Sequence, residues 1–227
     1  MLTVIPHVLL PAEVAEFQGR LASAPWTDGK ITAGYQSVQA KHNQQLPEAN
    51  EIARQLGQRV LAALARNLLF MAAALPARIY PPLFNRYAGG QAFGTHIDNA
   101  IRSIPGTGER LRTDLSATLF LEDPASYDGG ELVIEDRYGT QAVKLPAGHL
   151  VLYPATSLHQ VRAVTRGTRT ASFFWIESMI RDDGQRGVLF DIDMAIQRLR
   201  TELPEQHPSL LALSGSYHNL LRMWASL

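Results

Sequence analysis

The stretch Ala92-Phe93-Gly94-Thr95-His96-Ile97-Asp98 lies in the part of the chain whose residue pattern decides the fold. Successive side chains of a strand point to opposite faces, so residues two apart share a face. A strand over 92–98 would therefore point His96 and Asp98 the same way. One imidazole and one carboxylate aimed at one point are two of the three protein ligands of a facial metal site, which leaves half of an octahedron open. The third ligand must come from elsewhere in the chain.

The same period of two recurs in short segments on both sides of this stretch, and all of them are rich in β-branched and aromatic residues. Turn-forming pairs such as Gly89-Gly90 and Gly129-Gly130 separate them. Consecutive strands without intervening helices indicate an antiparallel double sheet, and a jelly roll is one of the few folds that closes so many short strands. The predicted strands are 77–87, 92–98, 115–121, 131–134, 141–145, 150–154, 158–164 and 170–177.

Helical patterns flank this all-β core on both sides. A short strand at 3–5 precedes a helix that starts near Pro11, and a longer helix is predicted over 48–74. Its apolar stripe consists of Ile52, Leu56, Val60, Leu61, Leu64, Leu68 and Met71. Two further helices are predicted over 188–203 and 210–224, after a linker at 181–184. We therefore expect an N-terminal helical support region at 1–76, the jelly-roll core at 77–178 and a small C-terminal helical domain at 179–227.

The composition narrows the class of partner. Among 227 residues, 21 Lys and Arg balance 21 Asp and Glu, so the chain has no basic footprint for nucleic acid or anionic lipid. There is no cysteine, which excludes disulfides and thiolate metal sites and suits a reducing compartment. No signal peptide and no apolar run of ~20 residues is evident, so we expect a cytoplasmic protein without a membrane span. Apolar residues of the C-terminal helices offer a contact surface for a homo-oligomer, namely Leu210, Leu211, Leu220 and Leu221.

His159 is the better candidate for the third ligand, and His149 is its rival in the strand-rich half. The segment that begins at His159 is predicted to form a hairpin with 168–175, which would bring Arg169 alongside it. Arg169 shares a face with Phe173 and Trp175 by period two. A guanidinium directed into an apolar barrel requires a buried anion, for example the carboxylate of a ligand. His149 has no arginine at the same downstream spacing.

Two further segments of the sequence are polar. The run 35–46, which contains Lys41, His42 and Asn43, is predicted to be a solvated loop. The segment 99–114 is long, polar and glycine-containing, as expected of a mobile lid, and it contains Arg102 and Arg110. An alternative hypothesis places Lys41 and Asn43 with this segment at the mouth of a substrate site.

The order His96-x-Asp98, His159 and then Arg169 ten residues later resembles the iron(II)/2-oxoglutarate-dependent dioxygenases of the prolyl and lysyl hydroxylase superfamily. The surrounding motifs agree with it. They are Asn85-Arg86-Tyr87-Ala88-Gly89-Gly90-Gln91, Tyr127-Asp128-Gly129-Gly130-Glu131-Leu132 and Ala33-Gly34-Tyr35-Gln36-Ser37-Val38-Gln39-Ala40-Lys41. With the helical tail, they make the whole chain similar to the bacterial PKHD-type hydroxylases, which are associated with iron uptake.

This resemblance implies a jelly-roll dioxygenase in which His96, Asp98 and His159 hold iron(II) and also form the catalytic centre. It implies that Arg169 binds the 5-carboxylate of 2-oxoglutarate and that Tyr87 helps to hold this co-substrate. The other implied co-factors are dioxygen and L-ascorbate as reductant. The implied reaction hydroxylates a small-molecule or peptide substrate with release of succinate and carbon dioxide. Tyr87 is about as easily explained as a core aromatic residue.

Two other classes stay open. A non-catalytic jelly-roll sensor of iron or 2-oxoglutarate, linked to iron homeostasis, would keep the same ligands. A cupin-like isomerase or dioxygenase would use a related barrel without 2-oxoglutarate, and Arg169 argues against it. Release of succinate coupled to oxygen consumption distinguishes an oxygenase from a sensor.

Overall fold

Two antiparallel sheets form the centre of the protein in a computed structural model that describes residues 2–32, 39–136 and 139–226. The larger sheet has eight strands, the smaller has five, and two short two-stranded ribbons lie outside them. Five α-helices flank the sheets within the described residues. The predicted all-β jelly roll with flanking helices is confirmed.

The strands are β1 Thr3–Ile5, β2 Thr27–Asp28, β3 Lys41–His42, β4 Gln44–Gln45, β5 Pro76–Ile79, β6 Leu83–Ala88, β7 Ala92–His96, β8 Ile101–Ser103, β9 Arg110–Arg112, β10 Leu115–Phe120, β11 Asp128–Gly129, β12 Leu132–Asp136, β13 Gly139–Val143, β14 Leu150–Pro154, β15 Leu158–Val161, β16 Val164–Arg166 and β17 Thr168–Ser178. The helices are α1 Pro11–Ala22, α2 Glu51–Ala65, α3 Leu68–Ala74, α4 Asp183–Arg200 and α5 Pro208–Trp224.

The larger sheet has the strand order β1-β14-β10-β17-β6-β4-β2, with β5 also paired to β17, and the smaller has the order β13-β12-β15-β7-β3. Strand β10 lies near the middle of the larger sheet, and all six of its residues are buried. Leu115, Ala117 and Leu119 pack in the cluster formed with the N-terminal helices, whereas Phe120 packs in the cluster shared with the smaller sheet. The sheet is therefore covered on both faces, by helices on one and by the second sheet on the other.

The N-terminal helices bury the apolar faces predicted for them. Val14, Phe17 and Leu21 of α1 pack with the β10, β14 and β17 side chains of the larger sheet. The rings of Phe17 and Phe84 lie 6.4 Å apart. Burial of one such side chain contributes roughly 1.5–3 kcal/mol, so this layer fixes the larger sheet and leaves its opposite face for the site.

The single helix predicted over 48–74 is wrong, because the chain makes two helices there. Helix α2 ends at Ala65, and α3 starts after Asn67, whose side chain accepts a hydrogen bond from the Phe70 backbone amide at 2.9 Å. Such a cap satisfies an amide that a new helix start leaves without an intrahelical partner. Beyond the break the predicted stripe faces solvent, since Leu68 is 83% exposed and Met71 38%.

The C-terminal helices pack on the end of the core. Helix α4 begins at Asp183 because the Asp182 side chain accepts from the Gln185 amide at 2.8 Å, so the predicted linker at 181–184 includes the first turn of this helix. Leu220 and Leu221 of α5 pack against a cluster of Leu75, Ile180 and Leu189, and Leu210 is buried. Three of the four leucines predicted to meet a second subunit are thus used within the chain, and Leu211 is 61% exposed.

The predicted lid at 99–114 is not an irregular loop. It contains a hairpin in which β8 pairs with β9, and Leu111 on β9 is fully buried beside Tyr80 and Trp175. The Thr113 hydroxyl donates to the Asn99 carbonyl at 2.6 Å, which closes the base of the hairpin. The buried Leu111 side chain therefore anchors the 99–114 segment, whose polar composition suggested a mobile loop.

Within the described residues, no helix is long and apolar enough to cross a membrane.

Candidate metal centre

His96, Asp98 and His159 come together in the cavity between the sheets. One ligand atom from each residue lies within 4.8 Å of the others. Strands β7 and β15 are paired with His96 opposite His159, and the two imidazole centroids are 4.2 Å apart. His159 Nε2 lies 3.6 Å from Asp98 Oδ2. Two imidazoles and one carboxylate in this arrangement have the composition of the facial triad that holds non-haem iron(II).

Hydrogen bonds at the back of each imidazole orient the cluster. His96 Nδ1 lies 2.8 Å from the Gly94 carbonyl oxygen, and His159 Nδ1 lies 3.0 Å from that of Ser157. A carbonyl oxygen only accepts, so each Nδ1 carries the proton and each Nε2 keeps its lone pair for a metal. The Ser116 hydroxyl donates to Asp98 Oδ2 at 2.7 Å and so fixes the carboxylate.

Electrostatics keep His96 in the form that binds metal. Burial, followed by the nearby His159, lowers the pKa of His96 from its usual 6.5 to about 4. A group whose pKa is lowered in this way is neutral at neutral pH, which is the state of a ligating imidazole. The Phe93 ring stacks on the His96 ring with centroids 3.7 Å apart, which shields one side of the cluster from water.

The cluster forms for a different local reason from the one predicted. Strand β7 ends at His96, so Asp98 follows the strand and does not share its pleat. The carboxylate reaches the histidines from the irregular segment after β7, where Ser116 of β10 holds it. His96 and Asp98 do point to the same place, as predicted. The cause is the hydrogen bond from Ser116 of the larger sheet and not strand alternation.

Arg169 lies in the same cavity but on the facing sheet. Its side chain is 1% exposed, and its Cζ lies 5.4 Å from the ring centroid of Tyr87 and 5.1 Å from that of Phe120. Its Nε has no hydrogen-bond partner, and no carboxylate pairs with the guanidinium among the residues that the structure describes. A buried charge is normally paired, so the surroundings of Arg169 fit an anionic ligand that completes them.

The predicted hairpin between His159 and Arg169 is wrong. Strand β15 pairs with β7 and β12 of the smaller sheet, whereas β17 pairs with β5, β6 and β10 of the larger one. The chain turns at β16, which pairs separately with β11. The two residues therefore face the cavity from opposite walls and do not meet as neighbours in one ribbon.

Tyr87 is both a core aromatic residue and part of the cavity wall. It is 1% exposed, it pairs in register with Arg169, and it packs with Phe120 and Tyr153. Its hydroxyl accepts a hydrogen bond from Asn85 Nδ2 at 3.5 Å, and burial raises its pKa. Both interpretations of this residue are therefore compatible with its position, and its contact with a co-substrate stays a prediction.

The space between the sheets that no protein atom fills amounts to about 790 Å³, which includes open solvent at its mouth. All five predicted site residues line it, and Lys41, Arg102, Phe173 and Trp175 line it with them. The rival ligand His149 lies elsewhere, because its ring packs against His7 with centroids 4.6 Å apart. His149 therefore takes no part in the cluster.

The solvated loop predicted around Lys41 and Asn43 is wrong where the structure describes it, and residues 33–38 lie outside the described part. Lys41, Asn43 and Gln45 are buried, at 4%, 2% and 1% exposure. His42 between them is exposed. This alternation is the period of a strand, but with polar residues on the buried side, so a search for apolar alternation misses it.

The comparisons with known proteins agree with this geometry. Residues 82–177 match the 2OG-Fe(II) oxygenase superfamily, and residues 183–226 match the PKHD-type hydroxylase C-terminal domain. A PKHD-type hydroxylase of Xanthomonas campestris pv. campestris is 63% identical over 99% of both chains. One from Bordetella pertussis is 59% identical, also over 99% of both chains.

Solved structures at low identity share the fold. A Pseudomonas putida prolyl-4-hydroxylase superposes with a TM-score of 0.53 at 21% identity, over 78% of this chain and 92% of its own. A prolyl hydroxylase of Trichoplax adhaerens gives a TM-score of 0.55 at 13% identity, over 83% and 86%. Together with the full-length relatives, these findings show that the chain belongs to the PKHD-type hydroxylases and is a 2-oxoglutarate-dependent dioxygenase of the 2OG-Fe(II) oxygenase superfamily.

Proposed function

We propose that His96, Asp98 and His159 bind iron(II), that Arg169 binds the 5-carboxylate of 2-oxoglutarate and that Tyr87 helps to hold this co-substrate. We propose further that the protein hydroxylates a C–H bond of a small-molecule or peptide substrate. The observation that supports this most strongly is that Arg169 is buried in the cavity that also contains the His-Asp-His cluster, with no acidic partner among the residues that the structure describes.

When bound, iron(II) supplies the position at which dioxygen is activated by the 2-oxo acid. The net reaction consumes 2-oxoglutarate, dioxygen and a substrate C–H, and it yields succinate, carbon dioxide and the alcohol. Both oxygen atoms are accounted for, one in succinate and one in the new hydroxyl group. Ascorbate is the proposed external reductant, which would keep the bound metal in the iron(II) state.

The chain contributes orientation and exclusion of water. The Gly94 and Ser157 carbonyls hold the two imidazoles, and Ser116 holds Asp98, so the ligands need little reorganisation on binding metal. Arg169 fixes the far end of the co-substrate through two parallel donors, which also fixes the position of its oxo acid at the cluster. The ring of Phe93 covers one side of His96.

We further propose a division into an N-terminal support region at 1–76, a core at 77–178 and a C-terminal helical domain at 179–227. The separate family matches over 82–177 and 183–226 support it. A homo-oligomer, the absence of nucleic-acid and membrane partners, and the cytoplasmic location stay predictions.

Succinate release tests the proposed function. The protein is loaded with iron(II) under argon and supplied with 2-oxoglutarate, ascorbate and isotopically labelled dioxygen in the presence of a metabolite and peptide extract. We expect succinate to form with oxygen uptake, and an extract component to gain labelled oxygen. Binding of iron and 2-oxoglutarate without any succinate after long incubation would contradict it and favour a sensor.

A further inference from the structure

A second cationic group, formed by the two side chains of Lys41 and Arg102, lies in the cavity away from Arg169. Lys41 and Arg102 both line the cavity, beside Phe173 and Trp175. Phe173 and Trp175 share a face of β17 with Arg169, and Trp175 is six positions further along the strand, roughly 20 Å at ~3.3 Å per residue. The group therefore occupies a different part of the cavity from the guanidinium assigned to 2-oxoglutarate.

This second group adjoins the metal cluster. Ser116, whose hydroxyl donates to Asp98, pairs in register with Trp175 across β10 and β17. Trp175 in turn lies under the guanidinium of Arg102. A molecule held by Arg102 and Lys41 would thus have the rest of its length beside the position proposed for iron.

Arg102 is stacked in place, but its charge is not neutralised. Its Cζ lies 3.8 Å from the Trp175 ring centroid and 5.1 Å from that of Tyr80. Its Nε is buried without a hydrogen-bond partner, and no ion pair joins it to a carboxylate in the described part of the chain. The Tyr80 hydroxyl, which interacts with Arg102, also donates to Glu48 at 3.3 Å.

Lys41 brings a second positive charge to the same part of the cavity. Its Nζ donates to the neutral amide oxygen of Gln45 at 2.9 Å and lies 5.6 Å and 5.9 Å from the ring centroids of Phe93 and Phe173. Burial, followed by the charge of Arg102, lowers its pKa to about 8, against attraction from Asp98 and Asp28. Lys41 is therefore still mostly a cation at neutral pH. It lies close enough to Arg102 for the charge of Arg102 to disfavour its protonated form.

We propose that Lys41 and Arg102 recognise a carboxylate of the primary substrate, whose apolar part lies along Phe173 and Trp175 and presents its C–H to the metal cluster. This inference rests on the proposed function, because it assigns Arg169 to 2-oxoglutarate and leaves the second cationic group for the molecule that is oxidised. A planar carboxylate suits the fork of a guanidinium, and the ammonium group adds a further donor. A neutral ligand would bring no anion to the Arg102 guanidinium, whose Nε is buried without a hydrogen-bond partner among the described residues.

Matched acid and amide probes test this recognition without knowledge of the natural substrate. The probes are N-acetylphenylalanine, N-acetylleucine and phenylacetate, each compared with its primary amide. Binding is measured by calorimetry on the full chain, first without metal and then as the oxygen-free iron(II) complex with saturating 2-oxoglutarate. We expect at least one acid to bind about tenfold more tightly than its amide, because only the acid can form a charge-assisted contact with Arg102 and Lys41.

Two variants assign this preference to residues. We expect Arg102→Gln and Lys41→Gln each to reduce the preference for the acid about tenfold or to abolish it. The affinity for 2-oxoglutarate should not change. Arg86→Gln is the matched control, since Arg86 also stacks on a tryptophan, with Cζ 4.8 Å from the Trp26 ring centroid, but does not line the cavity. If the buried Lys41 variant does not fold, Arg102→Gln and the conservative Lys41→Arg carry the test.

Three results would overturn the inference: no acid that binds more tightly than its amide, a preference that persists in Arg102→Gln, or an equal loss in Arg86→Gln. Failure of the proposed function is separate, because it appears as absent 2-oxoglutarate binding or absent succinate release. The acid-over-amide preference is also read in the metal-free protein, so it can hold or fail independently.

Discussion

Arg169 in the cavity and Arg186 in the C-terminal helices are almost equally buried, at 1% and 2% exposure, yet their surroundings differ. Arg186 donates to the Ile180 carbonyl at 2.8 Å and pairs with Asp183, so its charge is compensated within the fold. Arg169 has two aromatic rings beside it and no carboxylate among the described residues. The difference teaches that burial of a charge marks a ligand site only where the fold leaves the charge uncompensated.

The largest effect is expected at the metal cluster, because the role proposed for Arg169 is to hold a co-substrate that reacts at bound iron. We expect His159→Ala to lower iron(II) affinity by more than about 100-fold and to abolish succinate release, because loss of a group that merely orients a ligand already costs roughly 10–100-fold. Equilibrium dialysis under argon measures the affinity. His149→Ala is the control, and an equal loss there would show that the wrong histidine has been chosen.

Arg186 should matter for stability and not for the reaction. We expect Arg186→Gln to lower the free energy of unfolding by about 2–4 kcal/mol, because it removes a buried charge-assisted hydrogen bond while Asp183, at 46% exposure, is partly resolvated. Urea unfolding followed by circular dichroism measures this change. A weaker affinity for 2-oxoglutarate in the folded variant would remove the distinction between the two arginines.

Arg169 should show the reverse. We expect Arg169→Gln to raise the KM for 2-oxoglutarate about tenfold or more, since a charge-assisted bidentate contact contributes ~1.5–3 kcal/mol. Its free energy of unfolding without ligand should not fall, because no partner within the described fold loses a charge. Succinate release over a range of 2-oxoglutarate concentrations gives the KM, and an unfolding curve like that of Arg186→Gln would contradict the assignment.

The smallest effect is expected for the helix cap at Asn67, and it serves as a control for the effect of lost stability on co-substrate affinity. We expect Asn67→Ala to lower the free energy of unfolding by about 1 kcal/mol through loss of the helix cap on Phe70. The affinity for 2-oxoglutarate should be unchanged, which would show that a loss of stability does not by itself weaken the co-substrate. A change in affinity there would mean that the Arg169 result cannot be attributed to a local contact.

Most of the core was predictable because its residues follow simple periods. A short, continuously apolar segment predicts β14 to the residue, and the order of His96, Asp98, His159 and Arg169 predicts which side chains share the cavity. What the pattern misses depends on contacts distant in sequence. The split between α2 and α3 depends on one asparagine side chain, and the placement of Asp98 depends on a hydrogen bond from Ser116.

The buried polar residues of β3 and β4, and the one between these strands, show the same limit. Lys41, Asn43 and Gln45 alternate with exposed or half-buried residues as a buried strand does, but polar residues predict solvent when hydropathy is the guide. The pairing of β15 and β17 with different sheets could not be inferred from the turn between them, because a local hairpin satisfies the same sequence. Only the strand order of both sheets decides between a local hairpin and two strands in different sheets.

The most direct test compares 2-oxoglutarate with 2-oxopentanoate, which has the same carbon chain but no 5-carboxylate. Binding of each to the oxygen-free iron(II) protein is followed by the visible charge-transfer absorbance, in the wild-type protein and in Arg169→Gln. We expect the wild type to prefer 2-oxoglutarate about tenfold or more, and the variant to bind both acids alike. A variant that keeps the wild-type preference would show that Arg169 does not meet the 5-carboxylate and would contradict the account.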